Sequence, residues 1–251
     1  MTMTRPDYSA LAGFVTLGAP PATVDEIGGG SGGNPDLEPI RSTNYDIGLE
    51  WYFAKNSLLS ATLFYMDLDN YVGFGTERKT YLTFSENFPD GANLQYDLTV
   101  PVNAAGRVQG FEIAYQQAIT DNVGFIANYT YADGEQTSGV PPSGDDRLVG
   151  TSKDTYNLGA YYETDRFYAR VNYTYRSAFF SGLDRNTAFS QDEIDSLSAS
   201  LGFIFNENYT ISLDGQNLND PTLTYYALNK DQPRAFYKNG AQYYLNLRVK
   251  F

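Results

Sequence analysis

The sequence contains no cysteine and no histidine among its 251 residues. The absence of cysteine excludes disulfides, thiolate nucleophiles and cysteine-ligated metals. The absence of histidine removes the commonest general base and transition-metal ligand. No motif holds two carboxylates at the fixed separation that acid–base chemistry needs. We therefore predict no catalytic residue, no cofactor and no resident metal site, and a protein that is not an enzyme.

Long apolar runs and excess positive charge are also missing. No apolar stretch approaches the roughly 20 residues of a transmembrane helix, and the mean hydropathy is −0.40. Lysine and arginine number 17 against 30 aspartate and glutamate, a net charge of −13. The chain therefore lacks the cation clusters that contact nucleic-acid phosphates. These absences exclude a helical membrane protein and argue against a nucleic-acid partner.

The chain is rich in aromatic residues, with 22 tyrosines and 16 phenylalanines, and apolar and polar side chains alternate along it. Its last strand alternates apolar Tyr243, Leu245 and Leu247 with polar Tyr244 and Asn246. A strand of about 11 such residues is long enough to cross a bilayer when tilted, whereas strands of soluble proteins usually have about 5 or 6. The pattern predicts about ten strands: one ending within 5–12, then 42–54, 57–71, 107–118, 122–133, 153–163, 166–177, 193–205, 208–218 and 240–251.

The connections between these strands alternate between short and long. Tight polar turns are predicted at 54–56, 120–122, 164–166 and 206–208, and long polar stretches at 133–152, 177–192 and 219–239. Outer-membrane barrels combine short periplasmic turns with long external loops in this way. Residues 73–106 are predicted to form an external hairpin, and the glycine-rich residues 28–33 a flexible loop tip. A propeller shares the spacing of roughly 43 residues between turns, but each blade needs four short strands.

Several short motifs together resemble the C-terminal barrel half of TonB-dependent outer-membrane receptors. They are RPDY at 5–8, NPDLEP at 34–39, TNYDIGLEWYF at 43–53, GFE at 110–112, QNLND at 216–220 and the terminal Phe251. The resemblance covers nearly the whole chain, and it rests on the order and spacing of the motifs. It implies an all-β, transmembrane, antiparallel barrel of about 22 strands, of which this chain would supply about the last ten.

The resemblance also implies a domain organisation. Residues 1–251 would be the C-terminal portion of the receptor barrel, with a strand end and an external loop in 1–41 and strands with their turns and loops in 42–251. The plug domain and the box that couples to the inner membrane would be absent. Because no signal peptide precedes the first strand, the sequence is expected to be a fragment or a trimmed record. A half barrel would leave two open edges, which a membrane does not tolerate.

Site residues follow from this topology. The external loops are predicted to contact ligand through Asp145, Asp146, Arg147, Phe179, Phe180, Tyr225 and Tyr226. The polar side of the strands is predicted to line the lumen and touch the plug through Glu50, Glu112, Gln116, Arg170, Arg176, Asp214, Gln216 and Arg248. The resemblance assigns Phe251 as the terminal aromatic that the barrel-assembly machinery recognises.

The predicted function is active transport of a scarce solute across the outer membrane of a Gram-negative bacterium, energised through TonB and its inner-membrane complex. The expected partners are that complex, the barrel-assembly machinery, lipid with lipopolysaccharide, and a solute of the oligosaccharide or siderophore class. The acidic charge and the loop aromatics favour a carbohydrate. A passive porin or structural barrel, and a soluble all-β binding module, are the alternatives.

Overall fold

The computed structural model describes residues 2–139, 144–184 and 187–251. Its elements are strands apart from one four-residue helix, and no described helix is long and apolar enough to cross a membrane. The elements in order are β1 (Thr2–Thr4), α1 (Tyr8–Leu11), β2 (Val15–Leu17), β3 (Ile27–Gly32), β4 (Ile40–Ala54), β5 (Ser57–Ser85), β6 (Phe88–Ala118), β7 (Val123–Gln136), β8 (Asp154–Glu163), β9 (Phe167–Arg176), β10 (Phe179–Asp184), β11 (Thr187–Gln191), β12 (Ile194–Ile204), β13 (Tyr209–Gln216), β14 (Leu223–Ala227), β15 (Pro233–Tyr237) and β16 (Gln242–Val249).

One antiparallel sheet dominates the fold, in the order β1-β4-β5-β6-β7-β8-β9-β12-β13-β16. Neighbours along the sheet are neighbours along the chain, except where the segments between β1 and β4, between β9 and β12 and between β13 and β16 carry strands of their own. Nine of the ten predicted strands are confirmed, and the all-β transmembrane barrel wall with them. The prediction for residues 5–12 is wrong. Strand β1 ends before this segment, at Thr4, and Asp7 caps the short helix α1 by accepting a hydrogen bond from the Ser9 amide at 2.7 Å.

The register of the sheet separates an apolar face from a polar face. Directly paired residues share a face, so Leu49 with Ala61 and Leu201 with Leu213 lie on one side. The apolar side chains are open in the isolated chain, with Leu49 exposed by 73% and Leu247 by 67%. A continuous apolar surface of this size is the lipid-facing side of a membrane wall.

The two ends of the sheet differ as the sequence predicts. At one end the strands are joined at 55–56, 119–122, 164–166 and 205–208, and the side-chain amides of Asn122 and Asn208 donate to the backbone carbonyls of Glu163 and Lys250. Short turns with such polar caps satisfy backbone groups where the strands leave the membrane. At the other end lie all the long connections, so this end is the external one.

The external hairpin predicted at 73–106 is present as the continuation of two wall strands. β5 and β6 pair to the tip at Ser85 and Phe88, with register shifts at a bulge from Leu68 to Tyr71 and again between Thr83 and Ser85. Asn70 in this bulge has a left-handed φ of 56°. β6 has 31 residues, which at about 3.3 Å each reach roughly 100 Å, far beyond the roughly 30 Å of hydrocarbon.

The prediction of a flexible loop tip at 28–33 is wrong, because these glycines form strand β3. β3 pairs in parallel with β6, and β2 pairs with β3. A Cβ at Gly28 would lie 2.5 Å from ring carbons of Tyr96, and one at Gly30 would lie 2.6 Å from the Leu98 side chain. The glycines therefore let the strand approach the buried cluster formed by Leu94, Tyr96, Leu98 and Val100.

The long loops after β9 and β13 form a second sheet, in the order β10-β11-β14-β15. β11 pairs with β14 through Phe189 with Ala227 and Gln191 with Tyr225. An ion pair of 2.9 Å between Asp184 of β10 and Arg234 of β15 joins its two outer strands. This outer sheet, as we call it, consists of the regions predicted as loops at 177–192 and 219–239.

The main sheet is open among the described residues, because β1 and β16 lie at its two edges and do not pair with each other. An unpaired backbone group in hydrocarbon costs several kcal/mol. In a membrane both edges therefore need further strands beside them.

Gly28 offers a test of the β3 packing. Replacing it with valine (Gly28→Val) should destabilise the external hairpin by about 1–3 kcal/mol, because the new side chain overlaps the Tyr96 ring. Limited proteolysis within residues 12–36 should show faster cleavage of this variant. Gly29→Ala is the matched control, since a Cβ at Gly29 has no atom within 4 Å. Equal cleavage of both variants would contradict the packing described above.

Candidate functional site

The polar face of the main sheet contains all eight residues predicted to line the lumen. One cross-strand row runs Glu50, Ser60, Ala114, Asn128, Asn157, Thr174 and Ser196. The other seven predicted residues lie an even number of positions from this row along their strands, or pair directly with such positions, and so share its face. They are Glu112, Gln116, Arg170, Arg176, Asp214, Gln216 and Arg248. The structure thus gives these eight residues a common face, and their contact with a plug stays a prediction.

Polar contacts on this face are made within the sheet. Asp214 accepts hydrogen bonds from Ser200, from Ser212 at 3.1 Å and from the Asn246 amide at 2.6 Å. Arg170 donates from Nε to Glu163 at 2.7 Å. Such pairs across neighbouring strands stabilise the sheet and keep its polar side chains ordered.

At the external end of the main sheet, several contacts between loops converge on Arg147, one of the predicted ligand residues. Its guanidinium donates to Asp145 at 2.9 and 2.6 Å and to the Ser190 hydroxyl of β11 at 3.3 Å, and it lies 5.8 Å from the centre of the Phe180 ring. Arg147 therefore joins the loop at 144–153 to the outer sheet.

The ionisation of Asp145 reflects this contact. Burial of its carboxyl opposes ionisation, but hydrogen bonds from the side chain and the backbone of Arg147 outweigh burial and hold the pKa below its ordinary value. The pKa of Arg147 is raised by the same pairing. Both groups are charged at neutral pH, and each compensates the other.

A second arginine strengthens the same junction. Arg176 donates to the Ser152 hydroxyl and to the Gly150 carbonyl, both at 2.6 Å, and lies 3.9 Å from the centre of the Phe179 ring. The Gly150 amide donates to the carbonyl of Phe180 at 2.8 Å. Phe179 and Phe180 are 8% and 3% exposed, so both rings are used in packing, and they present little surface to a ligand.

Tyr71 connects this loop to the external hairpin, a contact that the sequence did not reveal. Its hydroxyl accepts a hydrogen bond from the Val149 amide at 3.0 Å, and the adjacent Leu148 is 2% exposed. Burial raises the pKa of Tyr71, although the bond from Val149 acts in the opposite direction. Tyr71 and Val149 are 78 residues apart, and alternation within a strand carries no information about such a pair.

The outer sheet holds a cluster of aromatic rings. Phe189 and Tyr225 stack with centroids 5.3 Å apart, and Tyr237 meets Tyr225 edge-on at 6.0 Å. Tyr226 is opposite Ser190 and therefore beside Arg147. Of the predicted ligand residues, Tyr226, Asp145 and Arg147 come together, and Asp146 lies exposed next to them. Tyr225, the preceding residue of β14, lies on the opposite face of the outer sheet with Phe189.

Lys230, in the connection between β14 and β15, forms ion pairs that join the outer sheet to the main sheet. Its ammonium lies 2.7 Å from both Asp192 and Glu193, which directly precede β12. These pairings raise the pKa of Lys230. The sequence gave no reason to single out this lysine, since its partners are 37 and 38 residues away.

Positive charge on the external end is largely neutralised within the chain. Nine ion-paired cations occur among the described residues, and eight of them lie at this end: Arg78, Lys79, Arg107, Arg147, Lys153, Lys230, Arg234 and Lys238. Cations on the short-turn side, such as Lys55 and Arg248, have no ion pair among the described residues. Among the described residues of the external end, Arg5, Arg41 and Arg176 have no ion pair, so most of the described cations there are already paired.

These features define a class of protein, a membrane-wall β-sheet with a structured external platform. The family model described as "TonB dependent receptor-like, beta-barrel" matches residues 2–218. The chain belongs to this family, and it is an outer-membrane protein.

Relatives and solved structures agree with this assignment. The chain is 24% identical over 227 residues to the iron-regulated outer membrane virulence protein of Vibrio cholerae, covering 89% of this chain and 33% of the relative. The ferric enterobactin receptor of Pseudomonas aeruginosa, crystallised as a variant with enterobactin, has a TM-score of 0.71 at 17% identity, over 99% of this chain and 37% of that one.

The ferric-catecholate import receptor of E. coli K12 has a TM-score of 0.61 at 23% identity, over 94% of this chain and 32% of that one. Likeness at these identities shows the fold alone. The chain spans about a third of the length of the curated relatives it matches.

The Arg147 junction can be tested by removing its charge. Arg147→Met should remove the guanidinium hydrogen bonds to Asp145 and Ser190, so amide hydrogen exchange in 144–151 and 187–191 should rise several-fold. Lys153→Met is the control. The Lys153 ammonium lies 3.4 Å from the Asp133 carboxylate, both side chains are largely open to solvent, and an exposed ion pair contributes little to stability. Unchanged exchange in Arg147→Met would contradict the proposed junction.

The same junction should respond to acid. The pKa of Asp145 is lower in the folded protein, so its contribution to stability is complete above about pH 4 and is lost as the pH falls through the folded value. Exchange in 144–151 should therefore be constant from neutral pH to about pH 4 and accelerate below it, after correction for the intrinsic exchange rate. In Arg147→Met the acceleration should be smaller, because only the backbone amide of residue 147 still donates to Asp145.

Proposed function

We propose that this chain is part of the wall of an outer-membrane receptor that takes up a scarce solute with energy supplied through TonB. The proposal rests on one observation: a sheet with one apolar and one polar face carries a folded external end, in a chain that belongs to the TonB-dependent receptor family. A passive porin would need an open lumen and no coupling to the inner membrane. The geometry adds support, since the long loops are folded into one connected surface on the external side.

Two solute classes deserve testing. The printed names of the relatives concern iron regulation and ferric catecholates, and these favour an iron chelate. The internal pairing of cations at the external end favours an uncharged solute, because a buried anion needs a positive partner. Residues outside this chain can supply cations, so the two arguments apply to different parts of the receptor.

Uptake measurements separate active from passive transport. Cells producing the receptor in its native length should accumulate ferric enterobactin labelled with radioactive iron, or labelled maltohexaose, and the rate should fall to background in cells lacking TonB. The production level of the receptor, measured by immunoblot, is the control. Equal uptake with and without TonB would favour a passive porin.

The terminal aromatic provides a separate test of assembly. Phe251 follows β16 and is fully exposed, as a recognition element should be. Phe251→Ser is expected to lower the amount of folded receptor in the outer membrane several-fold, as read by heat-modifiable mobility on gels. Lys250→Ser changes the adjacent exposed residue and should have little effect. Normal assembly of Phe251→Ser would remove the proposed role.

A further inference from the structure

The external hairpin contains a cavity of about 730 Å³ that the loop predictions did not include. It lies between the β2–β3 pair, the outer parts of β5 and β6, and the end of β10. Its lining residues are Thr16, Leu17, Gly18, Gly29, Gly30, Ser31, Gly32, Phe74, Thr99, Val100, Pro101 and Leu183. This volume is within the range of small-molecule sites.

The lining contains no charged side chain. Phe74 supplies an aromatic ring, and Thr16 and Ser31 supply hydroxyls on adjacent, directly paired positions of β2 and β3. Two carboxylates close in sequence to the lining are paired within the described residues: Asp97 receives Arg78 at 2.7 and 2.8 Å, and Asp184 receives Arg234 at 2.9 Å. Arg185 lies outside the described residues. The described lining gives an anionic ligand no positive partner to replace water, so its chemistry favours a neutral ligand.

The floor of the cavity is closely packed. The nearest atoms lie 2.6 Å from a Cβ position at Gly30 and 3.1 Å from one at Gly32, whereas Gly29 has no atom within 4 Å. Beneath this floor the side chains of Leu98 and Val100 are 0% and 6% exposed.

We propose that this cavity binds a pyranose ring of a neutral oligosaccharide. The apolar C–H face of such a ring packs against Phe74, and its hydroxyls exchange hydrogen bonds with Thr16 and Ser31. The proposal rests on the proposed uptake function and names a substrate class for one of its external surfaces. An oligosaccharide offers both an uncharged body and many hydroxyls, which matches this lining.

The test uses the receptor in its native length, solubilised in detergent, with maltohexaose and cellohexaose as probes and ferric enterobactin as an anionic comparison. Titration calorimetry should detect at least one hexasaccharide. Gly29→Leu, which places a side chain beside the cavity, and Phe74→Ala, which removes the ring, should each weaken that binding about tenfold, or roughly 1.4 kcal/mol.

Matched controls keep the test specific. Gly13→Leu adds the same side chain at a glycine that also has no atom within 4 Å of its Cβ position and does not line the cavity. Phe84→Ala removes an exposed ring, 64% accessible, near the hairpin tip. Both controls should bind the hexasaccharide with unchanged affinity, and all four variants should retain the thermal unfolding temperature of the parent receptor.

The outcomes separate this inference from the proposed function. If neither hexasaccharide binds, or if Gly29→Leu and Phe74→Ala bind as the controls do, the sugar site is wrong even when TonB-dependent uptake of ferric enterobactin is observed. If hexasaccharide binding follows the variants but no solute enters by a TonB-dependent route, the site stands and the uptake proposal fails.

Discussion

The structure depends on one constraint, that backbone N–H and C=O groups crossing a membrane must be paired within protein. The main sheet meets this constraint strand by strand, from β4 to β16, by unbroken antiparallel pairing. It also explains the capping of the short turns, where Asn122 and Asn208 donate to carbonyls at neighbouring strand ends. The two open edges are the places where the constraint is not met within the described chain, and they show where further wall must attach.

Strands β5 and β6 are surrounded by lipid along one part of their length and by water along the other. In the wall, β5 and β6 leave side chains such as Leu63 and Ile113 open, because lipid covers them. Beyond the membrane, water replaces lipid, and the apolar side chains Leu94, Tyr96 and Leu98 need protein cover. Strand β3 provides it, and its glycines allow the close approach. The external hairpin is therefore a small folded unit with its own core.

The external end also balances its charges internally. Long loops rich in aspartate would repel one another if their charges were unpaired, but Arg147, Lys230 and Arg234 each join two segments that are distant in sequence. Individual exposed pairs contribute little; their importance here is that they fix one loop relative to another. An external surface held in this way has a defined shape.

The sequence alone determined nine wall strands and the faces of their side chains, because a period of two is local and is set by which side meets lipid and which meets water. It placed Glu50, Arg170 and Asp214 on one face for the same reason. It could not determine the packing at the external end. Glycines at 28–33 are compatible with a mobile loop or with a strand against Tyr96, and only the long-range pairing with β6 decides between them. Likewise the contacts of Arg147 with Ser190 and of Tyr71 with Val149 join residues 43 and 78 apart, so only the tertiary structure decided the external surface.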